Sequence, residues 1–140
     1  MNTKDLMTGD LVNVFGIPKQ IEGIRKFRNG DEIVYYDGDN GTFIENISPI
    51  PLTPEILEKN NNISYGGLPI LFDDGKMHYS IIECRYVSKE YERNGETFYC
   101  LLSECTYDGG SFVTPFAKIR YVHELQHALK LCKIEKEIVL

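Results

Sequence analysis

Asn29-Gly30, Asn40-Gly41, Asp74-Gly75 and Asn94-Gly95 constrain this chain most. Both residues of a tight two-residue β-turn need positive φ, and Asn-Gly and Asp-Gly tolerate that best. The runs between these dipeptides are short and rich in β-branched and aromatic residues, as in "DEIVYYDGDNGTF" and "ILFDDGKMHYSIIECRYV". Such spacing predicts antiparallel hairpins rather than long helices or a parallel sheet. Val12 and Val14 alternate with polar neighbours, as do Ile33 and Tyr35, which predicts half-buried strands.

"SPIPLTPEILEKNNN" interrupts the strand pattern. Pro49 and Pro51 keep the chain extended. Thr53 suits an N-cap, Pro54 the first helical turn, and Glu55 the positive end of the helix dipole. A short helix is predicted there, ended by Asn60-Asn61-Asn62. The expected class is α+β: an SH3-like N-terminal β unit over residues 1–52, then residues 53–140. This second part is read as the short central helix, antiparallel β hairpins and a C-terminal amphipathic helix, with residues 134–140 as a final strand. If Asn94-Gly95 makes a two-residue turn, Tyr91 faces Phe98, Val87 faces Leu102, Arg85 faces Glu104 and Cys84 faces Cys105.

Composition narrows the function classes. The net charge of −6 argues against a broad nucleic-acid footprint, which needs clustered Lys and Arg. The basic groups Arg25, Lys26 and Arg28, and Lys118, Arg120, Lys130, Lys133 and Lys136, read as solvated faces. No apolar run is long enough for a membrane span, so no membrane partner is expected. The start "MNTKDLMTGD" has no signal-peptide core, and a cytoplasmic location is the expectation. Cys84, Cys100, Cys105 and Cys132 form no C-x-x-C and read as free thiols.

One motif carries chemistry. His123-Glu124-Leu125-Gln126-His127 is a literal H-E-x-x-H. Histidines at i and i+4 share a helical face and can bind zinc, with the Glu polarising a metal-bound water. A zinc hydrolase using His123 and His127 as ligands and Glu124 as base is therefore one reading. A third ligand is not evident. Glu135 and Glu137 lie too close, Lys130 and Lys133 stand where the H-x-x-G-x-x-H pattern needs Gly and His, and His78 lies on a predicted strand. A helical projection gathers Tyr121, Val122, Leu125, Ala128, Leu129 and Cys132 into an apolar arc of about 120°. His123 and His127 project opposite it, toward solvent on this reading.

Three stretches carry a resemblance: "LMTGDLVNVFG", "ISPIPLTPEILEKN" and "IRYVHELQHALKL" with "IEKEIVL". Together they resemble small uncharacterised proteins of gut-bacterial phages, mobile elements and their hosts. Their pattern is a Gly-Asp-x-Val start, a PIPLT junction and a C-terminal YVHxLQ helix, with Asn at the position of His127. The resemblance implies a mobile-element setting and no activity. It favours a non-enzymatic accessory or protein-binding module, without zinc or another cofactor and with no catalytic residue. Tyr35, Tyr36 or Phe43 would form its binding surface, and its protein partner and oligomeric state are not specified by the sequence.

Overall fold

The computed structural model describes residues 5–60, 63–65, 68–73, 77–83, 98–107 and 110–140. The class is α+β. Two compact units divide the chain: Met1–Pro51 with Tyr121–His127, and Leu52–Arg120 with Ala128–Leu140. Among the described residues no helix is long and apolar enough to cross a membrane.

The first unit holds two antiparallel sheets. Strands β1 (Leu11–Val14), β2 (Ile17–Gln20) and β6 (Ile47–Pro49) form one, in the order β2-β1-β6. Strands β3 (Gly23–Lys26), β4 (Glu32–Tyr36) and β5 (Asn40–Phe43) form the other, in chain order. Val12 and Val14 are buried as their alternation predicts, and they join Leu6, Ile21, Val34 and Ile47 in one core cluster. On β4 the buried residue is Val34, in register with Ile24 and Thr42, whereas Ile33 and Tyr35 are half-buried.

Turn chemistry refines the hairpin reading. Phe15 and Gly16 close β1–β2 with φ 50° and 79°, the doubly positive geometry of a tight hairpin. Asn29-Gly30 does mark a hairpin, but of three residues. Gly30 N–H donates to Phe27 O (3.1 Å), Phe27 N–H to Asp31 O (2.8 Å), and Gly30 alone takes positive φ, 92°. Asn40-Gly41 is not a turn. The positive φ values fall at Asp37 (47°) and Gly38 (80°), while Asn40 and Gly41 pair with β4. Asp-Gly wins over the neighbouring Asn-Gly because a Cβ at Gly41 would press against Ile33 and Tyr35, so that glycine is needed in the strand.

In the second unit, α1 (Pro54–Asn60) begins as the sequence predicts. Thr53 Oγ1 accepts from Ile56 N–H (3.3 Å) and Thr53 O from Leu57 N–H (3.0 Å). Strands β7 (Ile63–Tyr65), β8 (Leu68–Asp73), β9 (Met77–Glu83), β10 (Tyr99–Tyr107) and β11 (Gly110–Ile119) form a five-stranded antiparallel sheet in the order β11-β10-β9-β8-β7. Strands β8 and β9 pair antiparallel up to Asp73 and His78, and the expected turn at Asp74-Gly75 lies outside the described residues. Tyr99, Cys100, Leu101 and Leu102 are all buried, so the first half of β10 is covered on both faces.

The β9–β10 register differs from the sequence reading. Cys105 pairs with Met77 instead of Cys84, Glu104 with His78 instead of Arg85, and Leu102 with Ser80 instead of Val87. A continuous apolar run has no preferred face and cannot fix its own register. Cys84, Arg85, Val87, Tyr91 and Asn94-Gly95 lie outside the described residues.

Helix α2 (Val122–Leu131) follows β11. Its residues up to His127 belong to the first unit and the rest to the second. Val122, Leu125, Ala128 and Leu129 are buried, as the apolar arc requires. Residues 134–140 form no strand, although Ile134 and Ile138 are buried.

Candidate functional site

The N-terminal half of α2 meets the turn that leads into β1. Gly9, at φ 97°, lets the chain double back, with Asp10 N–H donating to Met7 O (3.1 Å) and Gly9 N–H to Ile21 O (2.7 Å). The Asp10 carboxylate folds over this turn and accepts from Met7 N–H (2.7 Å). Asp10 is fully buried.

Two side chains of α2 grip that turn. Gln126 Nε2 donates to Gly9 O (3.1 Å), and Gln126 Oε1 accepts from Leu11 N–H (2.8 Å). One amide thus satisfies a carbonyl and an N–H on either side of Asp10. His127 Nε2 lies 2.8 and 2.9 Å from the two oxygens of Asp10. An ionised carboxylate only accepts, so Nε2 carries the proton and donates to both oxygens.

His123 is 3% exposed. This corrects the expectation that it faces solvent. The apolar arc is as projected, but the polar side of the helix is covered too. Tyr121 stacks on the His123 ring (5.9 Å between centroids, 8° between planes), and His127 meets it edge-on (5.7 Å, 76°). Burial holds the His123 imidazole below its ordinary pKa, Asp10 raises it, and His127 lowers it further. Its Nδ1 is buried without a hydrogen-bond partner. His127 is half-buried, as is Glu124.

The arrangement is an imidazole oriented by a buried carboxylate. Among the described residues no three His, Cys, Asp or Glu side chains are grouped to hold a metal ion. For the zinc reading, His123 and His127 do come together, but His127 directs Nε2 at Asp10. His78 is a backbone partner of Glu104 in the sheet of the second unit.

Asp10 is the residue the sequence reading missed. It stood only as part of a Gly-Asp-x-Val start, 117 positions from its histidine. The three stretches behind the family resemblance also meet. Gly9-Asp10-Leu11 is held by Gln126 and His127, while Ile50 O accepts from Val122 N–H (2.9 Å) and Pro51 bridges to Tyr121. Leu52 N–H donates to Arg120 O (2.9 Å).

Of the aromatics expected to form a surface, Phe43 is exposed, whereas Tyr35 and Tyr36 are half-buried and Tyr36 packs on the core. Phe15 and Ile17 are exposed as well. Several basic residues do more than face solvent. Arg25 lies over Phe27 (4.9 Å), and Lys118 and Arg120 lie over Phe98 (4.0 and 5.1 Å). Cys100 and Cys132 are free thiols.

No protein-family model, no curated protein and no solved structure significantly matches this chain.

Proposed function

We propose that this chain is a non-enzymatic protein-binding module of a phage- or mobile-element-related system. Phe15 carries the reading. It occupies a tight turn at φ 50°, a conformation that Asn or Gly adopts readily and a bulky residue resists. It is also 67% exposed, so the fold gains little from its ring. A local rule broken with no gain in packing points to a functional demand on that side chain. Ile17, at the other side of the same turn, and Phe43 on β5 add exposed apolar surface to this unit.

The geometry around the H-E-x-x-H supports the same conclusion. Gln126 and His127 are engaged in holding residues 9–11, which gives this half of the motif a structural occupation. The zinc-hydrolase alternative, with His123, His127 and Glu124, would require His127 Nε2 to exchange Asp10 for metal.

The test compares Phe15→Asn with the wild-type chain. Asn relieves the turn, so the thermal midpoint should hold or rise, while capture of a partner from phage-bearing host cells should be lost. A captured protein retained equally by Phe15→Asn would refute the assignment of this surface. Stoichiometric zinc retained after reconstitution, and lost in His127→Ala, would favour the hydrolase.

A further inference from the structure

The chain after α2 is held by a device in the second unit that ordinary packing does not require. Lys133 N–H donates to Lys130 O (2.9 Å) and Ile134 N–H to Leu129 O (2.9 Å), a Schellman closure. The residue at its left-handed position is usually Gly, but here it is Lys133, at φ 58°. Beyond this hinge Ile134 and Ile138 are buried, while Glu135, Glu137 and Val139 are exposed. The alternation is that of an extended segment, although none of the described strands pairs with it.

Asn60 reads the backbone of that segment. It is the last residue of α1 and is buried. Its Nδ2 donates to Val139 O (2.8 Å), and its Oδ1 accepts from Val139 N–H (2.8 Å). The same Nδ2 donates to Ile56 O (2.6 Å) within α1, which orients the amide. The Lys136 ammonium donates to the Asn60 carbonyl. Satisfying both backbone groups of one residue is what a neighbouring strand does, and it demands only extended backbone at Val139. The two isoleucines set the register.

We propose that this edge of α1 is a clasp for an extended Ile-x-x-x-Ile-Val segment, and that its other occupant is residues 134–140 of a second copy, exchanged about Lys133. The clasp makes the same contacts whether the segment comes from its own chain or from another. The hinge therefore decides between the two states. A left-handed Lys disfavours the closed form, and an extended hinge relaxes it. In its own chain the segment has an effective concentration on the order of 1 mM, so exchange requires refolding at high protein concentration.

Complementation tests this directly. Asn60→Ala spoils the clasp and Ile138→Asp spoils the segment, so neither variant alone can form an intact pair. Mixed in equal amounts and refolded together, they can form one intact clasp between unlike chains. Native mass spectrometry should show the mixed dimer about tenfold above either homodimer, within the advantage that intramolecular closure ordinarily holds. Lys133→Gly, which keeps the fold and relaxes the closed hinge, should lower the dimer fraction of the otherwise wild-type chain. A wild-type chain that stays monomeric after concentrated refolding overturns the proposal. So does a mixed dimer no more abundant than the homodimers, or a dimer fraction unmoved by Lys133→Gly.

Discussion

Asp10→Ala tests whether the H-E-x-x-H helix is held by its own histidine. The carboxylate is fully buried and takes hydrogen bonds from Met7 N–H and His127 Nε2. Removing it leaves two donors without their partner. Leaving a buried donor unmatched costs about 1–3 kcal/mol, so the two together cost about 2–6 kcal/mol. The His127 side chain is 24% exposed, and water can take over part of its hydrogen bonding, which favours the lower end, about 3 kcal/mol. For a chain of this length that lowers the thermal midpoint by about 10 °C. Asp10→Asn should fall between wild type and Asp10→Ala, because Oδ1 still accepts from Met7 N–H but Nδ2 opposes a ring N–H. The decisive measurement is a double-mutant cycle with His127→Ala, followed by urea unfolding. His127→Ala alone leaves Asp10 buried with one donor fewer, so the double variant should lose less than the two singles combined, by about 2 kcal/mol. Additivity within about 0.5 kcal/mol would show that the two side chains are neighbours without being partners.

Two further outcomes follow from the same helix. His123 has a depressed folded-state pKa, so the unfolded chain binds its proton first as pH falls through about 6.5. Stability should therefore be full above that pH and decline below it, and His123→Phe, which can still stack on Tyr121, should remove that part of the acid decline in denaturant midpoints measured across the range. Leu125 is fully buried on the apolar arc, and Leu125→Ala should cost about 2–5 kcal/mol by chemical denaturation, against under about 0.5 kcal/mol for the exposed Leu131→Ala.

Local signals in the sequence translated well and non-local ones poorly. The Thr53-Pro54-Glu55 helix start was legible because capping uses only residues within one turn. The apolar arc of α2 was legible because it depends only on helical periodicity. The hairpins were legible as hairpins, but Asp37-Gly38 displaced Asn40-Gly41 as the turn for a reason that lies across the strand, at Ile33 and Tyr35. The β9–β10 register failed because Tyr99–Leu102 is buried on both faces and carries no alternation to choose between pairings. His123 was misplaced for a related reason. A projection shows which side of a helix is apolar, and it cannot show that Tyr121 and the turn at Gly9–Leu11 enclose the polar side. The Asp10–His127 pair left no local trace at all, since neither residue departs from what a surface turn or helix would carry.

The i, i+4 spacing in H-E-x-x-H is useful to a metal because it sets two imidazoles on one helical face. The same spacing is useful to a turn that must be pinned against a helix. In this chain His123 and His127 share the face that meets residues 9–11, and Gln126, beside them, supplies the amide that matches a backbone carbonyl and N–H together. Each polar group there has a different task. Gln126 fixes the backbone, His127 holds a buried carboxylate by hydrogen bonds to both its oxygens, and His123 fills the space between Tyr121 and His127. Only the last leaves a buried polar atom unmatched, at Nδ1. Burial of the ring is why acid should loosen this helix, and the unmatched Nδ1 is why replacing His123 by an apolar ring should cost little at neutral pH. A catalytic zinc site predicts the reverse, because there the loss of either histidine would abolish metal binding and activity alike.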